Sequence, residues 1–120
     1  MTTTNLYFVR HAEADASVHD DRARPLTEKG RRDCALVADL LEDKDTQAVV
    51  ASPYRRAIDT VRALARHKGF DVLCLEDLRE RKVADVWVED FIAYAKKQWA
   101  DFSYKLPGGE CLAEVQARTV

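Results

Sequence analysis

Leu6-Tyr7-Phe8-Val9-Arg10-His11-Ala12-Glu13 is an apolar run that stops at an arginine, a histidine and a carboxylate. The run has the length and residue types of a buried β-strand. In open α/β sheets, ligands gather beyond the carboxyl ends of strands, and Arg10 and His11 fall at such an end. A guanidinium binds two oxygens of a phosphate, and an imidazole beside it faces the phosphorus. The competing reading is a strand that runs out into polar loop. An Arg-His pair alone does not decide between the two.

The chain beyond this stretch supplies the context. Residues 14–24 are small or charged and without periodicity, which reads as a loop. Thr27 is the expected N-cap of a helix whose Cys34, Val37, Ala38 and Leu41 fall on one stripe. Ala48–Ala51 reads as a short buried strand ended by Ser52-Pro53. Tyr54–Lys68 reads as a second helix with Ala57, Ile58, Val61, Leu64 and Ala65 inward and Gly69 beyond its end. Val72–Leu75 is a third strand, and Glu76–Lys82 a charged loop. Val83, Trp87, Val88, Phe91, Ile92, Ala95 and Trp99 predict a longer helix whose aromatic stripe is core or a cap over the site. After the Pro107-Gly108-Gly109 loop, Glu110–Val120 begins another helix, with Leu112, Val115 and Thr119 inward. Strands alternating with helices predict an α/β fold, a three-layer sandwich with a mostly parallel sheet flanked by helices.

Composition bounds the function. The 120 residues suffice for one domain with a core, and 47% hydrophobic with 33% charged residues is ordinary for a globular chain. A net charge of −2 provides no global field for nucleic acid or an anionic membrane, so any anion site is a local cluster. Cys34, Cys74 and Cys111 are odd in number, widely spaced and without a CxxC, which reads as reduced thiols in a cytoplasmic protein. No apolar run approaches membrane-spanning length, and the opening residues lack a secretory pattern.

The loops after the three strands carry Arg10 and His11, then Ser52 and Arg56, then Glu80. These are parts for phosphoryl transfer. Fixed cations stabilise the charge that builds on the transferring group, and Arg10 and Arg56 supply them without a metal or other cofactor. His11 can attack phosphorus, and Glu80, with a raised pKa, can protonate a leaving alkoxide.

Five segments then match a family pattern in order. Val9-Arg10-His11-Ala12-Glu13 is similar to an Arg-His-Gly signature. Arg24–Gly30 is similar to a Leu-Thr-x-x-Gly helix start, and Ala51–Thr60 to Ser-Pro-x-x-Arg-Ala-x-x-Thr. Leu78-Arg79-Glu80 is similar to a loop bearing an acid, and Gly108-Gly109-Glu110-Cys111 to Gly-Gly-Glu-Ser. In these the chain resembles the histidine phosphatase superfamily, the phosphoglycerate mutase-like group. The resemblance implies His11 as nucleophile, Glu80 as proton donor and Arg10 and Arg56 as phosphate ligands. The family spacing favours Arg56 over its solvated neighbour Arg55. Ser52 reads as a hydroxyl that satisfies the turn, and Glu13 as a residue that orients the loop.

The departures are specific. Ala12 stands for the usual glycine and Cys111 for a capping serine, and a thiol is the poorer cap. The Trp-Asn that often follows the signature is absent, which weighs against a mutase. Lys82–Trp87 replaces a Phe-Gly-x-Trp-x-Gly pattern after the acid. The family's second catalytic histidine lies on a strand after the helix that opens at Gly-Gly-Glu, and the sequence ends at Val120, inside that helix. His19, a loop residue, and His67, near a helix end, do not stand at a sheet edge. The expectation is one histidine phosphatase-like domain over residues 1–120, incomplete at its C-terminus. Such a chain exposes apolar surface and an open sheet edge that invite self-association.

The implied function is phosphomonoester hydrolysis through a phosphohistidine on His11, an acid phosphatase-type reaction of the intact protein. Its substrates would be phosphorylated small molecules or phosphoproteins, with no nucleic acid and no membrane. A phosphoglycerate mutase and a non-catalytic phospho-ligand binding module are the alternatives.

Overall fold

The computed structural model describes residues 2–120. They form two compact units, one running to Leu75 and the other Glu76–Val120.

In the first unit, helix α1 (Glu28–Leu41) is followed by strand β1 (Val49–Ala51), helix α2 (Arg55–Lys68) and strand β2 (Val72–Cys74). The two strands pair in parallel, with Val49 opposite Val72 and Ala51 opposite Cys74. The fold is α/β, as the alternation of elements predicts. Parallel neighbours need a crossover, and α2 provides it. The strands are short because Ser52-Pro53 ends β1 and Leu75 passes into a 3-10 turn. Val49 and Ala51 meet Val61 and Ala65 of α2 in a buried cluster, joined by Ala57, Ile58, Phe70 and Val72. Burying Val61 and Leu64 contributes about 1.5–3 kcal/mol each relative to exposure. Val50 and Leu73 lie on the opposite face of the sheet and are exposed.

The helix ends follow the local sequence. The Thr27 hydroxyl accepts from Gly30 N–H at 3.0 Å and caps α1. Gly69 ends α2 in the left-handed region (φ 77°), where its N–H donates back to Ala65 and Arg66 carbonyls. Lys68 Nζ donates to the carbonyls of Glu42 and Lys44 just past α1, satisfying acceptors the helix leaves open.

The expected strand at Leu6–Val9 is corrected. Among the described residues the sheet has only β1 and β2, and residues 6–9 carry no strand. Leu6, Tyr7 and Phe8 are 72%, 49% and 91% exposed. Strand propensity without a ladder partner does not hold an apolar run in a sheet. The run instead borders an open groove of about 460 Å³, together with Val37, Leu40 and Leu41 of α1.

The second unit holds a 3-10 turn (Glu76–Leu78), helix α3 (Phe91–Ala100) and helix α4 (Leu112–Thr119). The long helix expected from Val83 is also corrected. It starts at Phe91, because the Asp90 side chain accepts from Ala93 N–H at 3.0 Å and caps it there. Ahead of that cap, the backbone at Val83 packs so closely on Gly109 that a Cβ there would strike the Val83 carbonyl. The inward face of α3 is Tyr94 and Gln98, while Phe91, Ile92 and Trp99 are exposed. Gln98 is fully buried because its amide donates to the carbonyls of Tyr104 and Glu110, at 3.0 and 2.8 Å. At α4, Cys111 is the N-cap residue without a side-chain cap bond, and Thr119 is exposed rather than inward.

Candidate active site

His11 Nδ1 lies 2.7 Å from the carbonyl oxygen of Ala12. A carbonyl only accepts, so Nδ1 carries the proton and donates. In the tautomer with the proton on Nδ1, Nε2 holds the lone pair that a nucleophile at phosphorus requires.

The peptide that carries this carbonyl is itself fixed. Ala12 N–H donates to Thr60 Oγ1 at 2.9 Å, and Thr60 Oγ1 donates to the carbonyl of Arg56 at 2.7 Å. Thr60 is 1% exposed, so this relay is shielded from water. It ties the residue after His11 to the first turn of α2, the turn that bears Arg56.

The next residues are fastened to the start of α1. Thr27 N–H donates to Glu13 O and Asp15 N–H to Pro25 O, both at 2.9 Å, around a bridge between Ala14 and Leu26. The Glu13 carboxylate accepts from the Thr27 hydroxyl at 2.7 Å, which is the orienting role read from the sequence. Gly30 is buried against the Glu13 backbone, where a Cβ would collide with its carbonyl. The glycine of the Leu-Thr-x-x-Gly segment thus lets α1 approach the loop. Asp15 is held below the usual carboxylate range by the hydroxyl and N–H of Ser17.

The two arginines differ sharply. Arg10 is exposed and borders the groove beside α1. Arg56 is 3% exposed. Its guanidinium donates to the Asp21 carbonyl and, at 3.0 Å, to the Asp21 carboxylate, and it stacks 5.0 Å from the centre of the Tyr54 ring. Arg24 also approaches the Asp21 carboxylate, at 3.6 Å. A buried, partnered guanidinium has a fixed direction. Arg55 is exposed and pairs with Asp59 at 3.5 Å. Ser52 Oγ accepts from Tyr54 N–H at 3.4 Å, a turn contact. His67 pairs with Glu42 at 3.0 Å on the surface.

The structure therefore joins His11 and Arg56 through Thr60 and leaves Arg10 beside His11 in the chain. Glu80 belongs to the second unit, where it is exposed. Among the described residues, no three His, Cys, Asp or Glu gather as metal ligands, no helix is long and apolar enough to cross a membrane, and the cysteines form no disulfide.

Residues 6–120 match the family model of the histidine phosphatase superfamily, branch 1. The chain belongs to that superfamily.

No curated protein matches the sequence. Solved structures do. The mycobacterial glucosyl-3-phosphoglycerate phosphatase, in complex with inorganic phosphate, is 27% identical with a TM-score of 0.75, over 91% of this chain and 56% of its own. Bacillus stearothermophilus YhfR is 29% identical with a TM-score of 0.73, over 91% and 60%. The Shigella flexneri alpha-ribazole phosphatase, at 22% identity and a TM-score of 0.71 over 92% and 60%, shares the fold. The chain thus spans 56% to 60% of the length of these structures.

Superfamily membership sets the sequence reading in relief. Thr60 and Gly30 stand in the matched segments, yet their contacts were legible only as motif letters. Asp21 had no signal at all, because an aspartate in an aperiodic loop looks solvated until its partner is known.

Proposed function

We propose that the whole protein is a phosphomonoester hydrolase acting through a phosphohistidine on His11. The observation that carries this reading is the Nδ1 hydrogen bond to Ala12 O, which leaves Nε2 as the ring's nucleophilic atom. Arg56 and Arg10 hold the phosphoryl oxygens. Nε2 forms a bond to phosphorus while the ester oxygen departs, taking a proton from Glu80. Water then attacks the phosphohistidine, giving its proton to the Glu80 carboxylate, and inorganic phosphate leaves as Nε2 recovers its lone pair.

The similar mycobacterial structure is named as a glucosyl-3-phosphoglycerate phosphatase, which supports hydrolysis over mutase transfer and a phosphorylated small molecule as substrate. The odd number and wide spacing of Cys34, Cys74 and Cys111 in the sequence favour a cytoplasmic setting.

Incubation of the whole protein with an aryl phosphate and with a phosphoglycerate tests the reading. Inorganic phosphate should be released from both. Isomerised phosphoglycerate without free phosphate would establish a mutase, and binding without turnover a phospho-ligand module.

A further inference from the structure

Glu110, just before α4, is a carboxylate that the reaction above does not use. Its side chain is 13% exposed. Oε2 accepts from Arg79 Nη2 at 3.0 Å and from Arg118 Nε at 2.9 Å. Oε1 accepts from the backbone N–H of Lys82 at 2.9 Å and from Arg118 Nη2 at 3.2 Å. The Glu110 N–H donates in turn to the Lys82 carbonyl at 2.8 Å. One residue therefore holds Arg79 by its side chain and Lys82 by its backbone, on either side of Glu80.

The surroundings reinforce the grip. Arg118, 10% exposed, also donates to the Asp77 carbonyl at 2.6 Å, ahead of the same loop. Gly109 lies against the carbonyls of Lys82 and Val83, with no room for a Cβ. Burial opposes the charge of Glu110. The Arg118 hydrogen bond, the Lys82 N–H and the nearby guanidinium charges outweigh it and hold the carboxyl below its usual range. The clamp is thus charged at neutral pH.

We infer that Glu110 is a positioning residue for Glu80, fixing both flanks of the loop that presents the proton donor. The inference rests on the reading of Glu80 as that donor. Glu80 lies in a segment without helix or strand, so its carboxyl has no regular backbone to aim it. A displacement of about 1 Å at such a group costs on the order of 10²-fold in rate.

The test uses the whole protein and compares an alkyl phosphate, whose leaving group needs a proton, with an aryl phosphate, whose leaving group needs little. Glu80→Gln should lower the alkyl-to-aryl ratio of kcat by about 10²-fold. An unchanged ratio would reject the donor and this inference with it. With the donor upheld, Glu110→Gln should lower the same ratio by about tenfold and leave the two KM values in their original proportion. In the Glu80→Gln background, Glu110→Gln should lower the ratio no further, because it acts through Glu80. Equal slowing of both esters by Glu110→Gln would make it a structural residue only. A further fall of the ratio in the double variant would make it an independent group. Either outcome overturns the inference. Should Glu110→Gln not fold, Arg79→Ala removes one link of the clamp. It should lower the ratio by about threefold, and an unchanged ratio would overturn the inference equally.

Discussion

Two adjacent stretches of the first unit meet opposite ends. Leu6–Val9 has every local mark of a buried strand and is exposed, with no partner strand among the described residues. Ala12–Asp15, a few residues on, has no marked propensity and is bonded to both helices, through Thr60 on one side and Thr27 and Pro25 on the other. A loop of this kind is satisfied by contacts within reach of short side chains and caps. A strand is satisfied only by a neighbour that offers a row of donors and acceptors, and its own sequence cannot supply one.

The contrast is broken most strongly at Gly30. Gly30→Ala drives a methyl group into the Glu13 backbone. Overpacking of about 3 kcal/mol, offset by ~1 kcal/mol of helix propensity, leaves a net loss of about 2 kcal/mol. Chemical denaturation should read that loss, and wild-type stability in Gly30→Ala would show that the loop is not held against α1. Thr60→Val comes next. It keeps shape but leaves the Ala12 N–H without its acceptor, at a cost of about 1–2 kcal/mol. Slower amide exchange of Ala12 in the variant than in the wild type would contradict the relay.

A smaller effect is set by pH. The folded pKa of Glu110 lies below its ordinary 4.5. Its contribution to stability is therefore complete above that value and is lost as the pH falls through the lower folded one. Glu110→Gln should flatten this part of the acid limb in melts between neutral pH and pH ~3, and an unaltered limb would show that folding does not lower the pKa of Glu110. The smallest effect belongs to the exposed run. Phe8→Ser should change the stability of the 120-residue chain by no more than ~0.5 kcal/mol, and a loss of several times that would mean that Phe8 is packed after all.

These particulars show how much of the molecule the sequence carried. Thr27, Gly69 and the pairing segments around Val49 and Val72 were legible because caps and short apolar runs act locally. The irregular stretch before Phe91 was not, since the spacing of Trp87 and Val88 mimics a helical face while Asp90 caps the helix only after them. At the site, His11 and Arg56 could be named from their motif. Their link through Thr60, and the grip of Glu110 on Arg79 and Lys82, depend on long-range contacts that spacing does not encode.

The central claim is that Nε2 of His11 attacks phosphorus because Nδ1 is occupied by Ala12 O. Phosphorus NMR of the whole protein, trapped with a slowly hydrolysed phosphoester and denatured in base, tests it directly. The account predicts one acid-labile phosphohistidine, bonded through Nε2 of His11 and absent from His11→Ala. A phosphoryl group on Nδ1, or a phosphoenzyme that survives in His11→Ala, would contradict it.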